Sequence, residues 1–334
     1  MNWLKPRSAW MWTLSLISSI YYAPLWLFSL SLTAFLILLN LDFLFWIPSL
    51  ITFLSLSLVF IFKIKNSSLN FQEVSFRRLF FPQLLPVKPN SQLSCPLDGG
   101  TQIIDYFSPN GNTSREAIFF LFGGGFLNND QSQLRLFNKR LAENGYHVFA
   151  LNYRQLPQFP WPTPLNDILK MIPWTLNELS SSVSIKKFYI GGRSAGGCLA
   201  MMSSAEMNDS RHQGSFALYP VTDLSAWANE KYSNLTLKSR WRVNLLCQNN
   251  DSIAKKISPV NLQYSKEKKF CIITGDFDPL VDPSESEALQ RVLNNQGCSS
   301  SLHILKNESH GCDASFDNLA GQKIEKLLVQ FLQS

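Results

Sequence analysis

Histidine is scarce in this chain: His147, His212, His303 and His310 are the four in 334 residues. Chemistry that needs an imidazole near neutral pH must draw on one of them. The six cysteines form no C-x-x-C pair. That removes the spacing of a structural zinc site and leaves free thiols in a reducing compartment as the plain expectation. Basic residues outnumber acidic ones by a formal charge of only +6, and they are spread along the chain. Without a basic stripe there is no nucleic-acid surface to expect. No internal repeat or low-complexity tract appears, and no motif implies a metal or an organic cofactor.

The most telling absence is of charge near the N-terminus. From Ser8 to Leu41 there is no charged residue, and after Asp42 the run Phe43 to Phe62 is again uncharged and almost wholly apolar. A bilayer span takes about 20 such residues, so residues 1–65 are expected to be a membrane anchor of two transmembrane helices. A signal peptide in the first run would still leave the second as an anchor. Lys5 and Arg7 precede the first run and Lys63, Lys65, Arg77 and Arg78 follow the second. By the positive-inside rule both ends face the cytoplasm, and the part of the chain after the second run with them.

Residues 66–100 read as a linker and juxtamembrane segment, punctuated by NSS, KPNS and LDGG around the apolar and basic FRRLFFPQLL. From Thr101 to Ser334 strands alternate with helices, the pattern of a mostly parallel sheet covered on both faces. Strands are expected near Gln102–Phe107, Ala117–Phe122, His147–Asn152, Phe188–Gly191, Ser215–Tyr219, Phe270–Thr274 and Leu302–Leu305. Helices are expected at Gln131–Asn144, Pro164–Leu179, Ala195–Met207, Pro283–Asn295 and Leu319–Leu332.

What is present, against these absences, is GGRSAGG from Gly191 between an apolar strand and an apolar helix. A turn of this kind holds Ser194 in a strained conformation with its hydroxyl exposed. Side chains at Gly192 or Gly196 would collide with the neighbouring strand or helix. The helix that follows points free N–H groups at the place where an oxyanion forms in acyl transfer. The bland alternative is a serine that merely caps a helix.

An acyl-transfer serine needs a base, and the base needs an orienting carboxylate. His310, in KNESHGC after the last expected strand, lies in a loop, whereas His147 and His303 fall within strand patterns and His212 at a polar connection. His310 is therefore the base. GDFDPLVDP after Phe270–Thr274 offers Asp276, Asp278 and Asp282 as the carboxylate, those not used being left to cap a turn or helix. FGGGF at Phe122–Phe126 follows a buried strand, and its consecutive glycines let backbone approach a substrate closely.

The three glycines after a strand, NYRQLPQFPWPTPLNDI from Asn152, GGRSAGG, ISPVN from Ile257, DPLVD and the HG at His310 together resemble the hormone-sensitive-lipase-like group of α/β-hydrolase esterases. The resemblance covers nearly all of Thr101 to Ser334. It implies an α/β-hydrolase fold with Ser194 as nucleophile, Asp278 as acid and His310 as base, and the amides of Gly124, Gly125 and Ala195 as the oxyanion hole. It also implies a cap, part of which Val221 to Leu262 would supply. Two residues depart from the pattern. Phe122 stands where that family usually has histidine, so polar support of the glycine loop is lost or replaced. Asn152 stands where it often has aspartate, which leaves the bracing of Arg154 open.

The expectation is a membrane-anchored serine carboxylesterase acting on a lipophilic or small-molecule ester, with the bilayer as its other partner. A hydrolase fold that binds a small ligand without turning it over is the alternative. The oligomeric state is not legible.

Overall fold

The computed structural model describes residues 86–111, 115–127, 129–229, 237–314 and 317–334, with a few scattered positions before residue 86. The two long apolar runs lie almost wholly outside the described residues. Among the described residues, no helix is long and apolar enough to cross a membrane. The chain divides into two compact units. The larger comprises Val87–Thr274, Leu280–Ile304 and Leu328–Ser334, and the smaller Met1–Pro86, Gly275–Pro279 and Leu305–Leu327.

In chain order the elements are β1 (Ser91–Leu97), β2 (Gly100–Phe107), β3 (Glu116–Leu121), α1 (Arg135–Glu143, after a 3-10 turn Gln131–Leu134), β4 (His147–Leu151), α2 (Thr163–Glu178), β5 (Lys187–Arg193), α3 (Ala195–Glu206) and β6 (His212–Leu218). Then follow α4 (Leu224–Ala228), α5 (Leu237–Leu246), α6 (Asp251–Ile257), β7 (Lys269–Gly275), α7 (Pro283–Asn295), β8 (Ser299–Leu305) and α8 (Leu319–Gln333). The strands form one sheet in the order β1-β2-β4-β3-β5-β6-β7-β8. The first two pairings, β1 with β2 and β2 with β4, are antiparallel. From β4 through β3, β5 and β6 to β7 all are parallel.

Strands buried on both faces read as nearly continuous apolar runs, because neither side meets water. EAIFFL in β3 is buried from Ala117 onward, all five residues of β4 are buried, and β5 is buried beyond Lys187. Helix α3 obeys the same logic. Its residues from Ala195 to Ser204 are all buried, so it is apolar all round and has no polar stripe. Cys198, Leu199 and Met202 join the main core with Phe119, Phe188 and Ile190. Met201 joins a second cluster with Phe270, Ile272 and Leu289. The helix that follows Ser194 is thus gripped on every side.

The sheet begins earlier than the linker reading of residues 66–100 allows. β1 pairs along its whole length with β2, from Ser91 opposite Tyr106 to Leu97 opposite Gly100. Pro96 is tolerated because β1 is the edge strand. In the span 221–262 expected to be cap-like, the described residues form the short helices α4, α5 and α6 in place of strands.

Candidate active site

In the larger unit β5 runs straight into Ser194 and out into α3. Ser194 has φ 52° and ψ −121°, a left-handed conformation that costs a non-glycine residue roughly 1–3 kcal/mol. Its backbone is held there by an N–H bond to the Leu218 carbonyl at 2.9 Å, and its own carbonyl accepts from Cys198 N at 3.0 Å. The serine side chain makes no capping hydrogen bond to α3. The helix-cap alternative therefore fails.

The flanking glycines have specific steric reasons. A Cβ on Gly192 would run into the Gly196 carbonyl, and one on Gly196 into the carbonyls of Leu121 and Phe122. The end of β3 is thereby pressed against the first turn of α3. The glycine loop sits beside the serine: a Cβ on Gly123 would lie 3.2 Å from the Ser194 Cβ. Gly124 (φ 132°) and Gly125 (φ 63°) take backbone conformations that side chains disfavour.

Polar support for this loop comes from groups that sequence reasoning did not find. Gly123 N–H donates to Gln133 Oε1 at 3.2 Å, and the Gly123 carbonyl accepts from Asn129 Nδ2 at 2.9 Å. The Phe122 carbonyl accepts from the Tyr153 hydroxyl at 2.9 Å. Phe122 itself stacks on the Tyr153 ring with centroids 4.4 Å apart. The phenylalanine that replaces the histidine of the related pattern thus fixes the loop by stacking, while Tyr153, Asn129 and Gln133 supply the hydrogen bonds. Among the described residues no protein acceptor bonds the N–H of Gly124 or Gly125. Those two amides and that of Ala195, the first residue of α3, are the expected oxyanion donors.

Arg154 is braced without an aspartate at position 152. Asp167 on α2 accepts from Arg154 Nε at 2.9 Å, Nη2 at 2.6 Å and the backbone N–H at 3.0 Å. Arg154 Nη1 donates to the Asp98 carbonyl at 2.7 Å. The hydrogen bond with Asp167 raises the Arg154 pKa further.

In the smaller unit His310 Nδ1 lies 2.7 Å from Asp278 Oδ2. The Asp278 side chain is fully buried and that of His310 is 11% exposed. With the carboxylate as acceptor, Nδ1 carries the proton and the imidazole is oriented. The turn that presents Asp278 is tied to the end of β8 and the loop after it: Asp276 N–H donates to Leu305 O and Phe277 N–H to Glu308 O, each at 3.0 Å. Gly275 is required here because a Cβ would strike the Glu308 carbonyl.

The competing carboxylates have other tasks. Asp276 accepts from Asn307 N–H, and burial raises its pKa. Asp282 caps α7 by accepting from Ser284 N–H at 3.0 Å. Two of the other histidines engage elsewhere. His147 pairs with Tyr106 Oη at 2.8 Å, and His212 Nε2 meets the Gly214 carbonyl at 3.0 Å. Burial pushes the His212 pKa down to about 3. Cys198 is one turn beyond the serine; burial first, then Cys247 and Glu285, raise its thiol pKa well above the usual range and keep it neutral. All six cysteines are buried and free. Among the described residues, no group of three or more His, Cys, Asp or Glu is placed to hold a metal.

Helix α4 and the residues that lead into it dock on one buried acid. Glu285 Oε1 accepts from Trp227 Nε1 at 2.7 Å, and Oε2 from Thr222 N–H at 3.0 Å. Desolvation dominates over these bonds and pushes the Glu285 pKa up to about 8. Ser258 Oγ accepts from Leu224 N–H at 2.9 Å and donates to Ala254 O at 2.7 Å, joining α4 to α6.

Comparison with known proteins places this geometry. The chain is 24% identical over 204 residues to the esterase LipQ of Mycobacterium tuberculosis, covering 57% of this chain and 48% of that one. It is 25% identical over 240 residues to the carboxylic ester hydrolase LipN of the same organism, covering 66% and 63%. The chain thus spans about half the length of the first relative and under two thirds of the second. Among solved structures, the hyperthermophilic esterase of Pyrobaculum calidifontis superposes with a TM-score of 0.64 at 21% identity, over 73% of this chain and 85% of that one. An esterase of the bacterial hormone-sensitive lipase family gives 0.64 at 18% identity, over 74% and 86%. The likeness read from the motifs therefore holds at the level of the fold. The family model BD-FAE matches residues 104–293, more than half of the chain, and this α/β-hydrolase belongs to that family.

Proposed function

We propose that this protein is a serine carboxylesterase that hydrolyses carboxylic esters through an acyl-enzyme on Ser194. The observation that carries the reading is the strained, uncapped Ser194 beside a glycine loop with two unspent amides. Relatives named as esterases and carboxylic ester hydrolases support it. In this reading His310 Nε2 takes the Ser194 hydroxyl proton as Oγ attacks the ester carbonyl. The negative charge that develops on the carbonyl oxygen is met by the amides of Gly124, Gly125 and Ala195. The tetrahedral adduct collapses, the alkoxide leaves with the proton from His310, and Ser194 keeps the acyl group. Water, deprotonated by the same imidazole, then releases the acid and restores the serine. Asp278 holds the Nδ1–H tautomer and stabilises the imidazolium in both steps.

The membrane part of the reading rests on the sequence. The charge-free runs at Ser8–Leu41 and Phe43–Phe62 anchor the chain as a hairpin with the catalytic domain on the cytoplasmic side, beside a bilayer into which lipophilic esters partition. Hydrolysis of p-nitrophenyl esters of increasing acyl length by detergent-solubilised protein tests the chemistry. Ser194→Ala and His310→Ala should each lower kcat/KM by about 10³-fold or more. Retained activity in either variant sinks the triad assignment. Equal turnover of short water-soluble and membrane-partitioned esters argues against lipophilic selectivity while leaving the chemistry intact.

A further inference from the structure

Helix α5 carries two arginines with different fates. Arg240 Nε donates to the Ala228 carbonyl at 3.1 Å and so ties α5 to the end of α4. Arg242 Nε is buried with no hydrogen-bond partner among the described residues. Its guanidinium lies against the glycine loop: a Cβ on Gly125 would come within 2.5 Å of Arg242 Nη1, 3.1 Å of Cδ and 3.3 Å of Cζ. The arginine is held there by its own helix, because the neighbouring Val243 and Leu246 are 2% and 0% exposed and belong to the main core. The glycine at 125 thus leaves room for a cation beside the oxyanion amides as well as freeing the backbone.

A partly desolvated guanidinium with an orphaned buried N–H is costly unless something accepts from it. Its planar fork matches a carboxylate with two parallel hydrogen bonds. We infer that Arg242 is a specificity-determining residue that receives a carboxylate borne by the substrate a few bonds from the reacting ester carbonyl. The inference rests on the esterase reading and narrows its substrates to acidic esters, an apolar body with one carboxylate near the scissile bond. Exposed Trp241, the preceding residue of α5, offers apolar surface on the same helix.

The test compares kcat/KM for monomethyl succinate with that for its neutral isostere, in which isopropyl replaces the carboxylate, and for acetoxyacetate with isobutyl acetate. The first pair places the carboxylate on the acyl side and the second on the alcohol side. Wild type should favour the acidic member of at least one pair. Arg242→Met should lower that acidic-to-neutral ratio by about 10- to 100-fold, and Arg242→Lys should give an intermediate ratio. A ratio of rates does not depend on how much of a variant is folded. No acidic preference in wild type, or a ratio unchanged in both variants while the neutral esters are turned over, overturns the role of Arg242 and leaves the esterase standing. No turnover of any of the four esters, together with none of the p-nitrophenyl series, overturns the esterase reading and this one with it.

Discussion

The elbow at Ser194 and the short helices α4 to α6 are built on opposite principles. At the elbow the fit is between backbones. Gly192, Gly196 and the Leu121–Phe122 carbonyls approach so closely that no side chain fits, and Ser194 is strained as a consequence. The cap is held by polar side chains reaching across long stretches of chain: Glu285 to Thr222 and Trp227, and Ser258 to Leu224. Backbone crowding leaves a compact signature, because only glycine satisfies it. Side-chain clamps leave almost none, because many residue pairs would serve. The elbow is therefore legible locally, and the clamps only in the tertiary structure.

The largest stability effect should come from the crowded side of this contrast. Gly196→Ala places a methyl group on two carbonyls that cannot retreat, and should cost about 3 kcal/mol or more, read by denaturant unfolding. A loss under about 1 kcal/mol would show that β3 and α3 can separate and that the elbow is not set by their contact.

A smaller, pH-dependent effect is expected at the cap. Glu285 titrates at about 8 in the fold against 4.5 as a free side chain. Between those values the unfolded chain releases a proton that the folded chain keeps, so its stabilising contribution is full below 4.5 and is lost as pH rises through 8. Relative to Glu285→Gln, wild type should lose on the order of a few kcal/mol between pH 5 and pH 8. His212 works in the opposite sense. Its pKa of about 3 makes stability fall as pH drops from 6.5, which is why the difference between the two proteins must be measured. Parallel pH profiles would mean that Glu285 is ionised in the fold and that its N–H donors, those of Thr222, Asp223 and Trp227, outweigh desolvation.

The smallest effect sharpens the comparison from within the glycine loop. Tyr153→Phe removes the hydroxyl that holds the Phe122 carbonyl but keeps the stack, and should cost about 1 kcal/mol.

The sequence carried the elbow and the alternation of strands and helices. Helix α7 begins and ends where Pro283 and Asn295 were expected, since Asp282 and Pro283 form a strong start signal. β1 was missed although Leu93, Cys95 and Leu97 alternate toward the interior, because the KPNS and LDGG that bracket it read as the punctuation of a linker. Tyr153 and Asn129 were missed for a different reason. Their hydrogen bonds go to backbone carbonyls brought close only by the fold, so no spacing rule marks them. Arg242 likewise had no motif, and its meaning lies in what surrounds it.

The central claim is that Ser194 is a nucleophile activated by His310. Intact-mass analysis of the full-length protein after exposure to an alkyl fluorophosphonate tests it most directly. The account predicts a single adduct, mapped to the peptide containing Ser194, abolished by Ser194→Ala and formed far more slowly by folded His310→Ala. No adduct on folded wild type, or an adduct that persists in Ser194→Ala, would contradict it.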